Sequence, residues 1–129
     1  MGVTNKILRV QEPGKPCVAA NEAVALLRDK WNILILGALA HDERLRYGEL
    51  QRAVDGISQR MLTLSLKTLE ENGLVTRTLF PSIPPRVDYA LTPMGRTLIG
   101  PLRGLLGWSM ENGPAMAEAR RAYATKTRA

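Results

Sequence analysis

The chain has 129 residues, room for one domain, and its 45% hydrophobic and 23% charged residues suit an ordinary folded core. Its net charge of +6 favours polyanions such as DNA, RNA or an anionic membrane, without choosing among them. The single cysteine, Cys17, excludes a disulfide framework, and the longest apolar run, Ile33 to Ala40, is too short to span a bilayer.

One cysteine also suits a reducing compartment, and the opening residues lack the apolar stretch of a secretory signal. A soluble, cytoplasmic protein is the expectation. Residues 1–16 carry two prolines, two glycines and scattered charges, and read as a loose arm. Asn21 is placed to cap a helix running to about Asp29, with Ala23, Val24 and Leu27 at helical spacing. Asp29 can cap a second helix, Lys30 to Ala40, which is apolar nearly all round and so expected mid-core.

A charged connection from His41 to Arg46, with room for a short strand, leads to a third helix, Tyr47 to Val54. Leu50, Ala53 and Val54 share one of its faces. Asp55-Gly56-Ile57 reads as a tight turn. Ser58 caps a fourth helix, Gln59 to Asn72, which Gly73 is suited to close. Val75 to Phe80 and Val87 to Leu91 read as strands. The segment between them, Pro81 to Arg86, holds three prolines and cannot be helical, so the pair forms a hairpin.

Thr92 as N-cap and Pro93 at the first helical position open another helix, expected to run to about Asn112. Its apolar positions are Leu98, Leu102, Leu105, Leu106 and Trp108. Gly113-Pro114 should break it before a weaker helix, Ala115 to Ala124, and a basic tail. The predicted organisation is an arm (1–16), a central unit with flanking helices (17–112), and a C-terminal helix and tail (113–129). The fold class is mainly α with a small β hairpin.

Helix, short glycine turn and helix over Tyr47 to Asn72 is the order of a helix-turn-helix, whose second helix enters the major groove of DNA. A hairpin directly after that helix is the wing of a winged-helix unit, and Arg86 at its tip could reach a phosphate or a minor groove. At about 100° per residue, Leu62, Leu66 and Leu69 fall on one side of the Ser58 helix. Arg60, Thr63, Leu64, Lys67 and Glu71 fall on the other. Ser58, Gln59 and Thr63 can bond base edges, and Arg60 and Lys67 supply charge. The same face also reads as ordinary solvated surface.

Enzyme chemistry finds no support. His41 is the one histidine, and no Cys/His cluster offers a metal site. No glycine-rich phosphate loop is present. Glu70 and Glu71 are adjacent and do not face each other on a helix. No cofactor is expected.

The stretches "KWNILILGAL" (30–39) and "RYGELQRAVDGISQRMLTLSLKTLEENGLVTRTLFPSIPPRVDYALTPMGRTL" (46–98), with a cysteine ahead of the first helix, resemble the HxlR-type family of bacterial winged-helix regulators. The likeness runs from Cys17 to about Trp108. It implies a homodimer on a near-palindromic operator in double-stranded DNA, paired through the helices Asn21–Asp29 and Thr92–Asn112. It also implies DNA contacts from Ser58, Gln59, Arg60, Thr63 and Lys67, with Arg86 in the wing and Arg46 and Tyr47 on phosphates. The family commonly has a polar residue where this chain has Leu64, so base preference does not carry over.

Some members of that family sense oxidants or electrophiles through the N-terminal cysteine. Such chemistry requires a thiolate, which a helix start or the nearby Lys15 would favour at Cys17. With no second cysteine, the products are a disulfide between two copies of Cys17 or an adduct with a small thiol. An inert, packed thiol is the plain alternative. A winged helix can also serve protein contacts or answer a small-molecule effector. A pocket between the reading unit and the Thr92 helix would suit the latter, though the sequence names no residue for it.

Overall fold

The computed structural model describes residues 18–128; the expected arm and Cys17 lie outside them. The elements are α1 (Val18–Arg28), α2 (Lys30–His41), β1 (Leu45–Arg46), α3 (Tyr47–Ala53), α4 (Gln59–Glu71), β2 (Val75–Phe80), β3 (Arg86–Leu91) and α5 (Pro93–Arg128).

The core is built around α2. Asp29 caps it, its carboxylate accepting the Trp31 N–H at 2.9 Å. Ile35, Leu36 and Leu39 are fully buried, and α2 packs against α1, α3, α4, α5 and β3. Leu50, Leu62, Leu69 and Val75 close around them. Leu34 is nearly half exposed, so α2 is not apolar toward a core on every side. Its fourth buried residue is polar, Asn32.

Two expectations at the helix ends are corrected. Asn21 is not a cap: α1 already starts at Val18, which places Asn21 exposed within its first turns. Ala53 does not share the buried face of Leu50 and Val54, because the short α3 turns it to solvent as the helix ends.

The hairpin gains a third strand. The sheet order is β1-β3-β2, all antiparallel, with Leu45 opposite Tyr89 and Phe80 opposite Arg86. β3 is central and buries Asp88, Tyr89 and Leu91, whereas β2 is an edge that exposes Thr76 to Leu79. Gly73 follows α4 with φ +75°, a left-handed conformation that glycine adopts without steric cost.

Thr92 joins the sheet to α5. Its Oγ1 accepts the Gly95 N–H at 2.9 Å and donates to the Gly73 carbonyl at 2.6 Å. The Thr92 N–H donates to the Leu74 carbonyl at 3.0 Å. A Cβ on Gly95 would collide with that same Leu74 oxygen, so the close approach requires glycine.

The break expected at Gly113-Pro114 does not occur. α5 continues through Pro101 and Pro114 for 36 residues, about 54 Å at ~1.5 Å per residue. A proline inside a helix orphans the carbonyl four residues back. Here those carbonyls belong to Thr97 and Met110, both exposed residues, so neither proline leaves its orphaned carbonyl inside the core. Among the described residues, no helix is long and apolar enough to cross a membrane.

Candidate nucleic-acid interface

α3, the turn and α4 form the two-helix unit. Gly56 takes φ +84° in the turn, and Ile57 after it is buried, which anchors the start of α4. Ser58 caps α4, its Oγ accepting the Met61 N–H at 3.1 Å. Leu62, Leu66 and Leu69 face the core, as their spacing requires. Gln59, Arg60, Thr63, Leu64, Lys67 and Glu71 are exposed.

The exposed face is not uniform. Lys67 sits 4.0 Å from Glu71, a long, solvated pair that leaves its ammonium available. Thr63 is engaged: its Oγ1 lies 2.9 Å from the Tyr47 hydroxyl. Tyr47 in turn donates to the Gln59 carbonyl at 2.8 Å. Tyr47 thus ties the start of α3 to the first turns of α4. Leu64 lies at the edge of the strip, against a groove shared with α1.

Arg46 precedes α3, where its N–H donates to Glu49 Oε1 at 2.8 Å. A cleft of about 500 Å³ opens between this corner and the hairpin loop, lined by Arg46, Tyr47, Ser82, Ile83, Pro84 and Arg86. Arg86 is not at the free tip of the wing. It is the first residue of β3, opposite Phe80, because the strand starts one residue earlier than its sequence pattern suggests. Its guanidinium stacks 4.4 Å from the Phe80 ring centre, and Nε lies 3.3 Å from Asp88 Oδ1. Arg44 approaches the other oxygen of Asp88 at 3.8 Å. The tip itself is Pro81 to Pro85, with Ile83 fully exposed.

Two sets of basic groups result: Arg60 and Lys67 exposed on α4, and Arg44, Arg46 and Arg86 together around a buried Asp88. The HxlR-like helix-turn-helix family model matches residues 26–117. The chain belongs to that family. It is a helix-turn-helix transcriptional regulator with a winged-helix fold, as its relatives are.

An HTH-type transcriptional regulator of Methanothermobacter thermautotrophicus is 42% identical over 96 residues, covering 74% of this chain and 70% of the relative. The solved structure of the regulator YtfH from Salmonella typhimurium matches with a TM-score of 0.70 and 34% identity, over 79% of this chain and 90% of that one. The redox regulator HypR in its reduced form matches with a TM-score of 0.70 and 31% identity, over 78% of this chain and 98% of that one. These relatives are regulators, and the HxlR-like chain described here is a regulator rather than an enzyme.

Asp88 and Arg44 are the residues that the sequence reading missed. A signal for Asp88 was present. It stands two residues after Arg86 in a strand, and alternate strand residues share a face. Arg44 carried no such signal, because only the pairing of β1 with β3 brings it to Asp88.

Proposed function

We propose that this regulator binds double-stranded operator DNA as a homodimer in the cytoplasm, with α4 in the major groove and the hairpin on the flanking backbone. The observation that carries the reading is the sorting of α4: three leucines face inward, while Gln59, Arg60 and Lys67 stand exposed, and Tyr47, which lines the Arg46–Arg86 cleft, bonds the start of α4. Arg60 and Gln59 read base edges, helped by Ser58 at the helix start. Arg46, Lys67 and Arg86 hold phosphates, and Tyr47 and Thr63 contribute hydroxyls at the same edge.

The dimer reading rests on apolar surface. Val24 on α1 and Leu105, Leu106 and Trp108 on α5 are each about half exposed. A second copy, paired through α1 and α5 on a near-palindromic site, covers them.

The test is retention of DNA from upstream of the protein's own gene across a salt series. Specific binding gives a steep loss of affinity with salt and a large preference over random DNA. Arg60→Ala weakens operator binding by about 1–3 kcal/mol and relaxes specificity. Arg86→Ala weakens binding to all sequences. A flat salt response without sequence preference overturns the reading.

A second reading concerns control. HypR is a redox regulator, and this chain carries one cysteine, Cys17, in the segment before α1. An oxidant-dependent change in operator affinity that Cys17→Ser abolishes supports sensing through this thiol. An equal response in the variant removes it.

A further inference from the structure

A groove of about 590 Å³ lies between α1, the start of α2 and α4. Its walls include Ala25, Leu26, Met61 and Leu64. Asn32 and Ser65 line it as well, and they are only 5% and 3% exposed. The Asn32 amide donates to the Leu26 carbonyl at 3.0 Å. Asn32 Oδ1 and Ser65 Oγ, however, have no hydrogen-bond partner. Buried polar atoms are nearly always paired, so two unpartnered oxygens on residues lining one groove call for a reason. The charged residues along the lining are Glu22 and Asp29, both acidic, in a chain whose net charge is +6.

We propose that this groove binds a small amphipathic amine. Its apolar body lies along Leu26, Met61 and Leu64. Its ammonium, which has donors and no acceptor, bonds Asn32 Oδ1 and Ser65 Oγ once the side chains that close these two oxygens off from solvent shift aside, with the carboxylates of Glu22 and Asp29 at the rim. A neutral apolar molecule would leave both oxygens unpaired, and an anion would meet two like charges. The volume falls within the roughly 300–1,000 Å³ of small-molecule sites.

The site also gives Leu64 a place. Around α4, the exposed strip of Gln59, Thr63 and Lys67 is followed by Leu64, Met61 and Ser65, and then by the core leucines. Leu64 faces the groove at the border of the DNA side, so an occupant presses on the reading helix from α1. Binding of the amine does not depend on α4 reading DNA, and its test needs no DNA.

The experiment is amide NMR of the full chain titrated with benzylamine, benzyl alcohol and benzoate. Benzylamine gives saturable shifts at Leu26, Asn32, Leu64 and Ser65. Benzyl alcohol binds about tenfold more weakly, and benzoate gives no saturable shift. Ala25→Trp, a change at an exposed position that fills the groove, abolishes the benzylamine shifts. Asn32→Leu weakens binding by about tenfold. Absence of saturable shifts, shifts confined to other residues, an equal response to benzoate, or full binding by folded Ala25→Trp overturns the proposal.

Discussion

The two helices richest in leucine treat it in opposite ways. α4 buries Leu62, Leu66 and Leu69 and leaves a polar strip outside. α5 buries Leu102 and then exposes Leu105, Leu106, Trp108 and Met110 for the rest of its course. The first is shaped by the core of its own chain. The second runs on past that core, and its half-exposed apolar residues gain further burial only from another surface. A leucine stripe is therefore evidence of packing but does not say which chain supplies the other side.

The sharpest way to break this comparison is to truncate one leucine of each kind. Leu62→Ala leaves a cavity in the core that also holds Leu36, Leu39 and Leu69 and costs about 2–5 kcal/mol. Its thermal midpoint falls by many degrees. Leu106→Ala leaves the midpoint of a dilute sample nearly unchanged. Equal losses in the two variants would mean that α5 packs intramolecularly after all.

Charge replacement on α5 comes next. Leu106→Arg with Trp108→Arg halves the mass seen by light scattering, while the far-ultraviolet dichroism keeps its helical shape. A dimer that survives both substitutions places the pairing surface elsewhere. Between the two regions stands Gly95, where α5 leaves the sheet. Gly95→Ala drives a methyl into the Leu74 carbonyl, costs about 1–3 kcal/mol and loosens α5 against the winged unit. Denaturant unfolding of the variant measures that cost, and a midpoint equal to that of the parent chain would show that the joint can yield.

Much of this architecture was legible in the sequence for a plain reason. Caps and turns are local: Asp29, Ser58, Gly73 and Thr92 each do what their residue type does at a helix end or start. Hydrophobic spacing on α4 was equally direct. The misreadings came where the environment decides. Gly113-Pro114 marks a helix end by residue type, yet α5 runs on through it, with the carbonyl freed by Pro114 on the exposed Met110. Asn21 resembles a cap by type, but capping depends on where the chain before it goes. At the candidate interface, residue types named Arg60 and Lys67, yet the engagement of Thr63 and Arg86 with their neighbours needed tertiary structure. Asn32 and Ser65 carried no sequence signal, since a polar residue within an apolar helix reads as surface until its neighbours are placed.

The smallest effect tests how α4 is held. Tyr47 bonds the Gln59 carbonyl and Thr63 Oγ1 across the two-helix unit. Tyr47→Phe removes both bonds and costs about 0.5–1.5 kcal/mol. Thr63→Val removes one of them. If the two hydroxyls work as a pair, a double-mutant cycle on stability yields a coupling of at least about 0.5 kcal/mol. Operator affinity of Tyr47→Phe then falls through the altered pose of α4, so binding to strong and weak operators weakens by the same factor. A coupling of zero, with operator discrimination lost in Thr63→Val alone, would instead assign the Thr63 hydroxyl to a base edge and leave Tyr47 as a packing residue.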